Sequence, residues 1–440
     1  MESIKMDEKS ATTLVPEDMN PNPKPQAESP PPDAKNEEES LDEHDGGYGW
    51  VCVVAQLLIT ANTWGVNGSF GVYLDHYLST NAFQGTSQVA YAFVGGLSIS
   101  QMTLVAPLVT HATKRFGLKP TLVFGLVLET GALIAASYAT ELWHLCLTQG
   151  FLFGWGSSFL YVGTYGIIPQ WFNRRIGVAT GIASAGSGLG GLIHSLGSQA
   201  MISRLGLSWS FRITAICTGV AHVICTILIR DRNKHVKPQQ HYFDASLLKS
   251  MDFLLILFWT LFSATGYTIV LFSLPNNAIE IGATFHQASI VGAMVNLGMA
   301  IGRPLVGYFS DHVGKVNMSL IGTILASIFC LALWTSANNL STLFAFAILG
   351  GMVLGTFWAT MGSVLVATFG IKRLPSTLSV AWTLISFPTA FAEAIALGLR
   401  RPHAPVYHNV QIFAGFMFFG GFVCLALLRF LPHIRREATQ

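Results

Sequence analysis

The sequence predicts an all-α membrane protein with twelve transmembrane helices in two six-helix, pseudo-symmetric halves. Three observations predict it. Of the 440 residues, 51% are hydrophobic and only 11% are charged, where soluble chains carry roughly 25% charged residues. Apolar runs separated by short polar breaks yield about twelve segments, each near the about 20 residues that cross a bilayer as a helix. Basic residues gather in alternate connections, the pattern that positive-inside topology imposes on a chain crossing repeatedly.

The elements follow in order. Residues 1–45 contain Pro30-Pro31-Pro32 and Glu37-Glu38-Glu39 and offer no apolar face; they are expected to form a disordered, acidic, Pro-rich cytosolic tail. A basic segment followed by an apolar core, the mark of a cleavable signal peptide, is not seen at the start. From Trp50 the chain turns apolar and carries no charge until Asp75. Expected spans cover 49–74, 87–110, 120–139, 143–168, 176–200 and 211–229, then 251–273, 287–309, 317–336, 342–369, 376–399 and 408–431. The longest internal polar stretch divides the chain into a first bundle over 46–230, a cytosolic linker over 231–250 and a second bundle over 251–431. A short cytosolic tail over 432–440 follows.

Charge tests that map. Lys114, Arg115, Lys119, Arg174, Arg175, Arg230, Arg232, Lys234, Lys237, Lys249, Lys315, Lys372, Arg373, Arg429, Arg435 and Arg436 all fall on one side of it. The other side keeps Arg204, Arg212, Arg400 and Arg401. The expected protein is therefore multi-pass, with both termini in the cytosol and the plasma membrane as its location. All six cysteines lie in apolar runs, which speaks against a disulfide framework or a zinc site. No basic face with interleaved aromatics points to nucleic acid. No cofactor is expected. The expected partners are a small-molecule substrate and the lipid bilayer; an accessory membrane protein is left open.

Internal similarity appears after the second helix of each half. Lys114-Arg115-Phe116-Gly117-Leu118-Lys119-Pro120 in the first half answers Gly307-Tyr308-Phe309-Ser310-Asp311-His312-Val313-Gly314-Lys315 in the second. A glycine beside charge in a tight turn, at equivalent places in two six-span halves, is expected of parallel-repeat carriers, and resembles the loop signature of the major facilitator superfamily. Asp45-Gly46-Gly47-Tyr48-Gly49-Trp50 is similar to the first signature of the monocarboxylate porters within that superfamily. Trp171-Phe172-Asn173-Arg174-Arg175, continuing through Ala179, Gly181, Ala183, Ala185, Gly186 and Gly190, is similar to their second. The resemblance covers residues 45 to about 431, and Trp64 to Tyr73 looks most like the fungal branch. These motifs have a structural job first: glycines permit a bend and close helix approach, and the aromatic pair anchors at an interface.

Ionisable residues inside spans point more directly to chemistry, because each costs roughly 2.5–3.5 kcal/mol near a helix centre. They are Glu129, Arg303 and Glu393, with His194 and His222. The resemblance implies that Arg303, followed by Pro304 and Gly307, holds a substrate carboxylate, as a guanidinium can through two parallel hydrogen bonds; snorkelling to headgroups is the structural alternative. Two departures from the family stand out. Met299 occupies the place of its span-eight acid, and Gly68, beside Asn67, that of the animal members' span-one lysine. Lactate-type proton symport is thereby put in doubt. Glu393 and His194 are the candidate proton-coupling groups, each with a structural alternative, and Glu129 is expected to be structural. In the spans that line the cavity of this superfamily, Asn62, Trp64, Asn67, Tyr161, Tyr165, Tyr267, Phe357 and Trp358 offer polar or aromatic contacts. Such a wall with one arginine suits an amphipathic organic acid or a ring-bearing metabolite.

The expected function is secondary active transport of a small organic anion or amphipathic metabolite by alternating access, in the direction of secondary-metabolite efflux. Uptake of a carboxylate or of a vitamin such as riboflavin is the alternative, and a non-transporting membrane nutrient sensor is the alternative of another class. An enzyme is not expected: no nucleophile, metal cluster or phosphate cradle appears at a membrane face.

Overall fold

The structure is a computed structural model and describes residues 46–80, 88–236, 238, 243–401, 403 and 405–430. Asp45 and both expected tails lie outside the described residues. Among the described residues twelve candidate spans follow one another, counting one bent pair as a single span: α1 (Gly49–Tyr77), α2 (Phe93–Leu104 and Ala106–Phe116), α3 (Leu118–Ala136), α4 (Leu142–Gln170), α5 (Ile176–Leu205) and α6 (Leu207–Leu228). The second six are α7 (Met251–Glu280), α8 (His286–Val313), α9 (Lys315–Trp334), α10 (Leu340–Phe369), α11 (Ile371–Gly398) and α12 (His408–Phe430). Eleven are long and apolar enough to cross a membrane singly; α2 is a pair bent by 43°, with Pro107 in the first turn of its second segment, where the ring pre-sets the backbone but donates no hydrogen bond. No strand occurs among the described residues. The face where α1 begins and α12 ends is here the near face, the opposite one the far face.

The bundle is oily outside and partly polar within. Val127, Ile193, Ile216 and Ile227 are each 60% or more exposed, whereas Thr63, Ser157, Ser158, Thr164 and Thr218 are fully buried. That inversion places hydrocarbon against hydrocarbon and leaves polar groups to pair inside.

Several helices outrun the apolar segments that mark them. Here α1 ends at Tyr77, α7 at Glu280 and α8 at Val313, against expected ends at 74, 273 and 309. Hydropathy falls where charge enters, at Asp75, Glu280 and Asp311, but backbone hydrogen bonding continues until a cap stops it. At α8 the stop is Gly314, with φ 102°; at α2 it is Gly117, with φ 88°. Both adopt a backbone that L side chains rarely adopt, so the two halves turn into their third helices by the same device.

The α1–α5 and α5–α8 packings are the most extensive in the molecule. A Cβ on Gly65 would lie 2.6 Å from the Gly190 backbone, and one on Gly181 would lie 2.5 Å from the Arg303 carbonyl oxygen. Only hydrogens fit at those crossings. The halves thus meet along α5 and α8, and also where α2 packs on α11.

Candidate functional site

On the near face the two sequence motifs interlock. Trp50 meets Phe172 edge-on at 5.0 Å, and Tyr48 meets Trp171 at 5.9 Å. The Tyr48 hydroxyl donates to the Leu228 carbonyl at 2.7 Å, and the Trp171 indole donates to the Arg230 carbonyl at 3.0 Å. Arg230 sits 4.3 Å over Tyr48 and Arg232 5.1 Å over Trp171. A Cβ on Gly49 would stand 2.9 Å from the Phe172 ring, so that glycine lets the aromatic pairs close. Arg174 and Arg175 lie exposed just before α5. Gly186 packs against the Leu57 carbonyl of α1.

The second half grips the start of α5. Gly177 N–H and Val178 N–H donate to the two carboxylate oxygens of Asp311, each at 2.8 Å. Lys315 donates to the same carboxylate at 2.9 Å. An anion at a helix N-terminus meets free amide donors and the positive end of the helix dipole.

Above that clamp, in the middle of the bundle, lies a cavity lined by Trp64, Asn67, Gly68, Ile99, Tyr161, Ser187, Tyr267, Thr268, Leu271, Asn296, Met299, Arg303 and Trp358. Arg303 stands ten residues before the end of α8, about 15 Å from the near face at 1.5 Å per residue, deeper than the expected end at 309 implied. Its side chain is only 4% exposed. Nη1 donates to the Ser184 carbonyl at 2.7 Å and to the Ser187 hydroxyl, and Nη2 lies 3.5 Å from the Met299 sulfur. Gly355 of α10 makes room: a Cβ there would lie 2.8 Å from Nε. Among the described residues no carboxylate reaches ion-pair distance of Arg303.

An aromatic layer crosses from one half to the other on the near side of this cavity. Trp64 packs on Trp358 at 4.7 Å, Tyr161 on Trp382 at 5.3 Å, and Tyr165 on Trp382 at 5.5 Å. The Tyr165 hydroxyl also donates to the Trp358 carbonyl at 3.2 Å. With the rings in van der Waals contact, this conformation is shut toward the near face. The buried polar atoms of the cavity lining that lack a partner are Trp64 Nε1, Trp358 Nε1 and Arg303 Nε. All three are donors.

Of the residues singled out in the sequence, Arg303, Trp64, Asn67, Tyr161, Tyr267 and Trp358 line this one cavity, and Tyr165 and Phe357 do not. Asn67 accepts from Ser98 at 2.7 Å, and Tyr267 donates to the Met299 sulfur at 3.4 Å. Asn62 does not line it; its side-chain oxygen lies 3.2 Å from His194 Nε2, away from the cavity. Glu393 belongs to α11, but its side chain lies outside the described residues. Sequence reasoning passed over Ser184, Ser187, Asn296 and Trp382. Asn296, Met299 and Arg303 recur at helical spacing on α8, a signal that was available; the serines were hidden in a stretch of small residues.

The sequence profile of the Major Facilitator Superfamily matches residues 52–263 and 254–439. A Saccharomyces cerevisiae protein named "Probable transporter MCH2" is 34% identical, over 89% of this chain and 84% of its own length. The "Fujikurins efflux protein" of Gibberella fujikuroi is 26% identical, over 85% of this chain and 81% of its own. Among solved structures, the proton:xylose symporter XylE superposes with a TM-score of 0.67 at 12% identity, over 89% of this chain and 99% of that one; this similarity bears on the fold alone.

Proposed function

Because the chain belongs to the Major Facilitator Superfamily, we propose that it is a secondary active carrier of organic anions, of the monocarboxylate-porter type, working by alternating access. One observation carries the anion: the unpartnered buried polar atoms of the cavity lining are all donors, beside a guanidinium with no carboxylate partner among the described residues. Buried donors are expensive to leave unmade, and an acceptor-rich, negatively charged group satisfies them together. The aromatic wall of Trp64, Tyr161, Tyr267 and Trp358 favours a cargo with an apolar, ring-bearing body.

Residues 46–230 and 251–431 serve as two bodies that rock about the α5–α8 seam. The near face is the cytosolic one in this proposal, supported by Lys114, Arg115, Arg174, Arg175, Lys315, Lys372 and Arg373 at its connections, and the membrane is the plasma membrane. Export of a metabolite is the direction, supported by the relative named for fujikurin efflux.

Counterflow in proteoliposomes tests the cargo, with radiolabelled phenylpyruvate as an aromatic monocarboxylate and pyruvate as the ringless comparison. The wild type exchanges phenylpyruvate faster than pyruvate. Arg303→Ala lowers exchange about tenfold or more, the loss of a charge-assisted contact of about 1.5–3 kcal/mol. Exchange undiminished in Arg303→Ala would contradict the assignment of the anion to this residue.

A further inference from the structure

Behind the cavity wall, inside the first six helices, lies a polar layer that the cargo site does not use. Glu129 of α3 and His222 of α6 are both fully buried, with the carboxylate oxygen 3.8 Å from Nδ1 of the imidazole. Both carboxylate oxygens, both ring nitrogens, Ser157 Oγ and, one turn along α6, Thr226 Oγ1 are buried without a well-aligned hydrogen-bond partner. The nearest polar groups are the Ser157 hydroxyl of α4, within loose hydrogen-bonding reach of the carboxyl, and the Ile59 carbonyl of α1, within the same reach of the imidazole. Buried polar groups in a purely structural network are almost always paired, so this one keeps spare donor and acceptor capacity around two groups that bind protons.

We infer that Glu129 and His222 form the carrier's proton-binding site, loaded and emptied once per cycle, so that transport is coupled to a pH gradient. The inference rests on the transporter assignment and deepens it. The chemistry is limited to one O–H or N–H bond: the Glu129 carboxylate takes a proton and returns it, or passes it to His222 across the gap. With one proton the pair is neutral; without it a net negative charge remains among apolar helices, which costs several kcal/mol unless water reaches it. Conformations that admit water release the proton, and closed ones retain it.

The layer is placed to sense the cavity. Four residues along α4 lead from Ser157 to Tyr161, and five along α1 from Ile59 to Trp64; Tyr161 and Trp64 are cavity wall. Little more than one helical turn separates the two sites on both helices. Other groups around the pair are few. His194 of α5 faces His222, and Cys52 and Cys225 belong to an adjoining apolar cluster. On the packed helices, Asp75, Lys119, Arg204 and Arg212 stand near helix ends, as do His111, Lys114 and Arg115 on α2 and His144 on α4. Among the described residues His222 is the sole basic side chain within 4 Å of the Glu129 carboxyl.

Two measurements on the full-length protein decide it. In pH-difference infrared spectra of the purified protein in nanodiscs, the wild type shows a carboxylic-acid C=O band that Glu129→Gln removes and His222→Gln shifts along the pH axis. A band unchanged in Glu129→Gln overturns the site, with no cargo needed. In proteoliposomes holding phenylpyruvate, with equal potassium on both sides and valinomycin holding the membrane potential at zero, a one-unit pH gradient supports about tenfold accumulation for one coupled proton, toward the acidic side if anion and proton exchange. Glu129→Gln brings that ratio to about one while still exchanging labelled for unlabelled probe. Accumulation persisting in Glu129→Gln overturns the inference. Glu129-dependent accumulation on the alkaline side supports the site but reverses the efflux direction. A wild type that moves neither probe sinks the cargo assignment, while the infrared band still decides the proton site.

Discussion

At the scale of single residues, the account turns on rare polar groups whose partners are incomplete. Arg303 was conspicuous in the sequence because a charge inside an apolar span is costly, and it lies in a cavity that offers it neutral acceptors only. Lysine at this position would keep the charge but lose the planar fork; Arg303→Lys should weaken phenylpyruvate exchange nearly as much as Arg303→Ala, by about tenfold. Trp358→Phe keeps an aromatic face, though a smaller one, and removes one donor, worth about 1 kcal/mol, so binding should weaken roughly fivefold; an unchanged affinity, read by calorimetry, would remove Trp358 from the anion site. Asn62 shows where residue reading fails. It is two positions from Trp64, about 200° round an α-helix at 3.6 residues per turn, so both cannot face one cavity. Which of them does is decided by the crossing with α5, and no single sequence states that phase. Ser184 and Ser187 were illegible for the same reason: their value lies in facing α8 at a crossing set by glycines.

At the scale of elements, the spans could be read because hydropathy reports burial in hydrocarbon, while their ends could not, because ends depend on caps and on partners in space. Asp311 extends α8 beyond its apolar run and clamps the start of α5. Asp311→Asn should weaken that clamp by about 1.5–3 kcal/mol and let the near face open. A cysteine replacing the fully buried Ser310 should then be alkylated about tenfold faster than in the presence of Asp311; equal rates would mean that the clamp does not hold the face shut. The α1–α5 crossing makes a second prediction. Gly65→Val places bulk where the Gly190 backbone already stands, and overpacking of this kind costs about 1–3 kcal/mol, so thermal stability in detergent should fall. Gly131→Ala, where a Cβ meets nothing within 4 Å, should be neutral or slightly stabilising. Similar losses in both variants would contradict close packing as the reason for Gly65.

At the scale of the molecule, twelve helices place Lys234 on the near face and Asn338, between α9 and α10, on the far one. Cysteines at these positions should therefore be labelled from opposite sides of the membrane; labelling from the same side would break the span map. The pseudo-symmetry was legible in the glycine turns at 117 and 314, which a sequence can show because only glycine tolerates that backbone. Which inner surfaces meet was not, because the cavity takes its walls from both halves. The proposed function requires this shared chamber to recognise negative charge through Arg303 and the unpartnered indole N–H groups of Trp64 and Trp358. Equilibrium binding of phenylpyruvate and its neutral methyl ester to the purified protein tests this most directly. The account predicts that the anion binds at least tenfold more tightly than the ester and that Arg303→Ala abolishes the difference; equal affinity of the two in the wild type would contradict it.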